Sequence, residues 1–256
     1  MSGSLAVWRK ELTVYFATPI FYLTGFFFLL LAGYFFYSNL VYYTFLSFQA
    51  GQNPYLAAML TPLQMVYRPF FGNLAVLFLF IVPLFTMRLL AEEKRSGTME
   101  LLLTFPLTDW GVILGKFLAA WALYALLLAI TGLFSLAFAA IMPQDWSAIG
   151  VGYLGLLLLG AASLALGLFS SSLTENQIIA AVIAFGLLLL FWIIGWYEEL
   201  GPPAYRGFFR YLSMMGHFDT FSRGVLDTRD VLYYLGFTYF FLFLTKRQLE
   251  SRQWRG

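Results

Sequence analysis

Cysteine is missing from all 256 residues and histidine occurs once, as His217. Without a thiol there is no disulfide framework, no thiolate nucleophile and no thiolate metal site, although the absence does not identify a redox compartment. A zinc centre needs at least three protein ligands, commonly His or Cys, so a single histidine argues against any metal site. Charge is the second scarcity. Asp, Glu, Lys and Arg make up 11% of the chain, against roughly 25% in soluble domains. The net charge of +2 is too small and too scattered to form a nucleic-acid surface.

What remains is apolar: 61% hydrophobic, with 20% of the chain aromatic and a mean hydropathy of +0.79. This composition is that of an integral membrane protein. The runs reach the ~20 residues that a helix needs to cross a bilayer core. They lack the two-residue alternation of a transmembrane barrel. The expected class is therefore all-α, a single polytopic membrane domain over residues 1–256.

Residues 4–17 place Leu5, Trp8, Leu12, Tyr15 and Phe16 at helical spacing, away from Arg9, Lys10 and Thr13, and predict an amphipathic helix in the headgroup plane. Trp8, Arg9, Lys10 and Glu11 precede the first apolar run and no small-residue cleavage site follows it, so this run is expected to stay in the mature chain. Six spans are expected at about 19–37, 70–90, 112–141, 147–168, 178–197 and 231–245. Thr18 and Pro19 mark the first start. Pro83 is expected to kink the second span. Residues 38–69 read as a partly ordered surface loop, and 198–230 as a longer polar segment at the same face. In the fourth span Ser163, Gly167 and Ser171 share a face at four-residue spacing, which lets backbones approach closely, either within the chain or at a subunit interface.

Six spans place both termini on one side. Ten of the 15 Lys and Arg fall there: Arg9, Lys10, Arg88, Lys94, Arg95, Lys116, Lys246, Arg247, Arg252 and Arg255. Arg68, Arg206, Arg210, Arg223 and Arg229 fall on the other. Because cytoplasmic loops carry the excess of Lys and Arg, the termini and the insert 91–116 are expected in the cytoplasm.

The spans contain almost no ionisable residue, which argues against an ion-coupled transporter with carboxylates or histidine at the midplane. Gly111–Lys116 (GVILGK) imitates a phosphate loop, but only three residues separate its glycines and Phe117 follows the lysine. Lys116 reads instead as an end anchor of the third span, and the chain is not expected to hydrolyse ATP. Membrane glutamic proteases place an arginine four residues after a glutamate pair; Gly97 and Pro203 stand there after Glu92–Glu93 and Glu198–Glu199. An intramembrane hydrolase built on Glu198, Glu199 and His217 remains an alternative.

The insert AEEKRSGTMELLLTFPLTDWGVILGK is the sharpest feature. Glu92 to Arg95 extend a helix beyond the second span, and Ser96, Gly97 and Thr98 break it and offer caps for another. Met99, Leu102 and Leu103 share one face of that second helix, Glu100 sits in its first turn and Pro106 stops it, which makes a docking element.

The run EEKRSGTMELLLTFPLTDWGVILGK resembles the signature of permease subunits of ABC-2 type transporters. HFDTFSRGVLDTRDVLYYL, residues 217–235, is similar to the gliding-motility-associated and nitrous-oxide-reductase-maturation branch of that family. The resemblance implies a type V exporter-like permease fold, non-catalytic, in a bacterial cytoplasmic membrane. It implies a coupling helix at 92–106 that enters a cleft on a separate ATPase, with Glu92, Gly97, Thr98, Glu100, Leu103 and Pro106 at the matching positions. A second contact would use Ser172, Thr174, Glu175 and Asn176. Two permeases, identical or homologous, and two ATPases would assemble among membrane lipids, with ATP and magnesium on the ATPases and no cofactor or nucleic acid on this chain. Residues 198–230 would form external re-entrant helices closing the pathway, with Gly201, Pro202, Phe208, Phe209, Gly216 and His217 as the gate. Export and conformational work without cargo, as in a motility or maturation scaffold, stay open, and so do the substrate-binding residues.

Overall fold

The computed structural model describes residues 3–51, 60–98, 108–195 and 206–253. Among these the regular structure is all helical: α1 (Gly3–Ala17), α2 (Pro19–Ala50), a π-helical turn (Leu63–Tyr67) running into α3 (Arg68–Thr86), α4 (Ala91–Arg95), α5 (Asp109–Ala139), α6 (Trp146–Leu173), α7 (Gln177–Ile193), α8 (Arg206–Leu212), α9 (Met214–Ser222) and α10 (Thr228–Gln253). Four helical stretches are long and apolar enough to cross a membrane: Pro19–Ala50, Leu63–Arg95, Asp109–Ala139 and Trp146–Leu173. The fifth expected span appears as the shorter apolar helix α7. The sixth lies within α10, whose tyrosines and basic end dilute its hydropathy.

Caps explain the boundaries. Thr108 Oγ1 accepts the Gly111 N–H at 3.2 Å, Asp145 Oδ1 accepts from Ser147 and Ala148, and Asn176 Oδ1 accepts from Ile178 and Ile179, starting α5, α6 and α7. Asp227 accepts the Arg229 N–H at 2.9 Å as α10 begins.

Several expected boundaries shift. The first helix runs to Ala50 rather than stopping near Tyr37, because Ser38–Ala50 holds no Gly or Pro and its polar groups bond locally or across: Thr44 to Leu40 O, Asn39 to Val66 O. The second stops at Thr86, just after Pro83, and turns through Met87–Leu90 before α4. The expected polar turn 170–177 shrinks to Thr174–Asn176, since Ser170 and Ser172 hydrogen-bond to Leu166 O and Phe169 O inside α6.

Helix α6 packs against α3, α5, α7, α9 and α10. Its glycines make that centrality possible. A Cβ on Gly152 would lie 2.1 Å from the Phe71 ring, on Gly155 2.4 Å from Phe221, on Gly160 2.1 Å from Tyr124 and on Gly167 2.3 Å from Thr86 Oγ1. The small-residue face of Ser163, Gly167 and Ser171 is therefore spent on packing within the chain. By contrast, α2 exposes Tyr22, Leu23, Phe26, Tyr34 and Tyr37, each more than half accessible. A surface that apolar suits lipid and not water.

Candidate functional site

One end of the bundle gathers the charge. Helix α1 lies along α5, and it does so closely because Gly115 has no side chain: a Cβ there would be 2.7 Å from Val7 Cβ and 2.8 Å from the Ser4 carbonyl. The glycine that imitated a phosphate loop is thus a crossing point. One residue on, Lys116 is 1% exposed, and its Nζ lies 2.7 Å from Glu11 Oε1 of α1 and 2.8 Å from Glu93 Oε1 of α4. Lys10 reaches the same Glu93 oxygen at 3.1 Å. Arg88 pairs with Glu92 at 2.8 Å. Lys116, expected as an end anchor of the third span, is a buried cation held between two carboxylates from two other helices. Of the expected α1 stripe, Leu12 and Tyr15 pack against the core beside the buried Val7 and the carboxylate Glu11, and Leu5 and Phe16 are exposed. Burial, and then Glu11, push the Tyr15 phenol well above its usual range, so it stays a donor to Phe85 O at 2.6 Å.

These groups line a cleft of about 200 Å³ between α1 and the α3–α4 turn. The turn itself is held by Ser171 of α6, whose Oγ accepts the Leu90 and Ala91 N–H groups at 3.1 and 3.0 Å and donates to Met87 O. Lys94 Nζ donates to the Ser172 carbonyl. The segment Glu92–Thr98 and the α6–α7 turn, far apart in sequence, are therefore brought side by side. Ser171 and Lys94 do this joining, and neither stood out among the docking residues because the signal is a backbone carbonyl and a buried hydroxyl meeting across the fold.

The individual positions divide. Gly97 has φ +70°, the left-handed conformation that ends α4, as the break at Ser96–Thr98 requires. Ser96 Oγ meets Thr98 Oγ1 at 2.8 Å. Ser172 is fully buried and Asn176 is occupied as a cap, leaving Thr174 and the exposed Glu175 as the outward part of that turn. Glu100, Leu103 and Pro106 lie outside the described residues, as do Gly201, Pro202, Glu198 and Glu199.

At the opposite end α8 and α9 fold back beside α10. Ser213 Oγ caps α9 by accepting the Gly216 N–H, and Gly216, expected in the gate, is helical. Phe208 and Phe209 are in α8. His217 is buried: Nδ1 lies 2.7 Å from Asp230 Oδ1, Nε2 is 3.3 Å from Tyr211 O, and the ring stacks on Tyr233 at 3.9 Å. It ties α9 to α10. Arg68 and Arg223 both grip Asp219, Arg68 at 2.9 Å.

Burial alone would raise the Asp219 carboxyl, but the hydrogen bonds from Arg68 and Arg223 outweigh it and hold it below its usual 3.8. A depressed carboxyl stabilises the fold above the unfolded-state value and loses that contribution as pH falls through the folded value. Asp219→Asn is accordingly expected to lower thermal stability slightly at neutral pH, by up to about 1 kcal/mol for so exposed a cluster. The difference from wild type should vanish in acid below the carboxylate range, and an equal difference at both pH values would refute the assignment.

The ABC-2 family transporter protein profile matches residues 5–245. The chain belongs to this family. A probable ABC transporter permease protein, NosY, of Pseudomonas aeruginosa is 36% identical over 130 residues, which is 47% of this chain and 47% of that protein. The aligned region thus spans about half the relative's length. An ABC-2 family chain with four membrane-capable helices is a multi-pass membrane protein, a transmembrane subunit of an ABC transporter.

Proposed function

We propose that this chain is the permease half of an ATP-powered transporter and receives mechanical work through the segment 92–106 together with the α6–α7 turn. The observation that supports the reading is the side-by-side placement of residues 92–98 and the α6–α7 turn, joined by Lys94 and Ser171 at the end richest in Lys and Arg. Both termini and this end face the cytoplasm of a bacterial cell, by the distribution of basic residues. Helices α7 and α10 complete six spans, α1 rides at the interface, and two permeases pair in the complex. A separate ATPase binds ATP and magnesium, so this chain is non-catalytic. The work moves a cargo outward or reshapes an assembly.

Displacement of α4 is transmitted without slack, because Glu93 is locked to Lys116 of α5 and thereby to Glu11 of α1. A packed junction of this kind has little room to absorb a shift and passes it on. The test is co-purification with the ATPase. Glu100→Lys with Leu103→Glu is expected to release at least nine-tenths of the ATPase while the permease keeps its melting temperature; retention of the ATPase at wild-type level would sink the docking assignment.

A further inference from the structure

At the end opposite the charged cleft, three hydroxyls from three elements converge without a complete set of partners. Tyr67, in the π-helical turn before α3, is fully buried and its Oη makes no hydrogen bond. Ser135 of α5 is 1% exposed and its Oγ makes none either. Ser135 faces both Tyr67 and the Tyr153 phenol of α6, yet closes a bond of acceptable geometry with neither. Tyr153 Oη is 3.3 Å from Thr131 Oγ1, one helical turn below Ser135. The rings around Tyr67 are apolar, with Phe36, Phe71 and Phe138 centroids between 6.1 and 6.4 Å away.

An unpaired buried hydroxyl costs about 1–3 kcal/mol, and two side by side in an aromatic shell are not left so without an occupant. Three hydroxyls that both donate and accept supply the two to four partners that a buried water needs. Access is at hand. Tyr67 also lines a cavity of about 570 Å³ together with Thr61, Gln64, Arg68, Gln144 and Arg223. Gln144 Oε1 on that wall is a further buried acceptor with no donor.

The charges at this cavity are already satisfied. Arg68 and Arg223 are bound to Asp219, and Asp145 is taken by Ser147 and the start of α6. The groups with unused capacity, Tyr67 Oη, Ser135 Oγ and Gln144 Oε1, are all neutral. Among the described residues a charged guest would find no free counter-charge here, whereas a neutral hydrogen-bonding one would find donors and acceptors.

We propose that this vestibule, walled by Tyr67 and Gln144 and with Ser135 facing Tyr67, is a hydrated site for a small uncharged hydrogen-bonding solute. Water occupies it when the solute does not. The site does not depend on how the ATPase docks at the other end.

The lack of cysteine makes the test clean. Ser135→Cys introduces the only thiol, and its thiolate attacks the sulfenyl sulfur of a methanethiosulfonate, forming a disulfide and expelling methanesulfinate. In nanodiscs, neutral 2-hydroxyethyl methanethiosulfonate is expected to label Ser135→Cys at least tenfold faster than Ala120→Cys, a fully buried position on the same helix. The trimethylammonium and sulfonate analogues are expected to label it at least tenfold more slowly than the neutral reagent. Labelling of Ser135→Cys as slow as that of Ala120→Cys would show a dry hydroxyl pair and overturn the proposal. Charged reagents as fast as the neutral one would overturn the solute class. If Ser135→Cys does not fold, Thr131→Cys in the same cluster carries the same comparison.

Discussion

Lys116→Met is expected to destabilise the purified protein by about 3–5 kcal/mol, the cost of removing one partner from a buried ion pair. The side chain is 1% exposed and holds Glu11 and Glu93 together, so its loss leaves two carboxylates facing each other, with Lys10 still paired to Glu93. Unfolding in detergent, followed by loss of helical signal, should show the change. The same physics predicts a rescue. Because burying ions is itself costly, the triple variant Glu11→Gln, Glu93→Gln, Lys116→Met should recover most of the loss. If the single variant melts within about 1 kcal/mol of wild type, a value typical of exposed pairs, the cluster is not the clasp described here. The rescued protein also separates folding from function: it should assemble yet transmit ATP-driven motion poorly, since the ionic lock between α4, α5 and α1 is gone.

Gly160→Leu is expected to prevent accumulation of folded protein, and Gly160→Ala to cost about 1–3 kcal/mol, as overpacking of a filled interior does. The first added carbon would lie 2.1 Å from Tyr124 Cζ and 2.6 Å from its Oη. Tyr124 cannot yield easily. Its hydroxyl donates to Leu156 O at 2.6 Å and its ring meets Phe78 at 4.2 Å, at the crossing of α3, α5 and α6. Gly150→Ala in the same helix is the control, since a Cβ there meets nothing within 4 Å. It should be neutral or gain up to about 1 kcal/mol of helix propensity. Equal effects at Gly150 and Gly160 would mean that propensity, not packing, explains the glycines. Expression level and melting temperature of the three variants decide it.

The apolar runs were legible because lipid imposes a length and forbids unpaired backbone, and that constraint acts residue by residue along the chain. Thr18 and Pro19 marked the first start for the same local reason, although Thr18 Oγ1 donates back to Val14 O and forms no side-chain cap; the caps at Thr108, Asp145 and Asn176 were not singled out, although each acts on groups two or three residues away. Helix α2 beyond Tyr37 was obscured because Asn39, Thr44 and Gln49 mimic loop composition, although no breaker interrupts Ser38–Ala50. Pairings across the fold were not legible. Lys116 with Glu11 spans 105 positions and Lys94 with Ser172 spans 78, and nothing in the linear pattern assigns such partners. Gly115 shows the same limit: spacing excluded a phosphate loop there, but nothing local revealed the helix crossing that the glycine serves. The hydroxyl cluster of Tyr67, Ser135 and Tyr153 was hidden likewise, because each residue alone is an ordinary polar interruption of an apolar run.

The central claim is that work entering at the charged end moves the far end of the bundle. It is tested most directly by thiol labelling of Tyr211→Cys, an exposed position on α8, in nanodiscs that hold the permease with its ATPase. The labelling rate should change at least threefold when ATP and magnesium are added, and the change should disappear in the Glu100→Lys, Leu103→Glu background. A rate that ignores ATP while the ATPase remains bound and turning over would contradict the account.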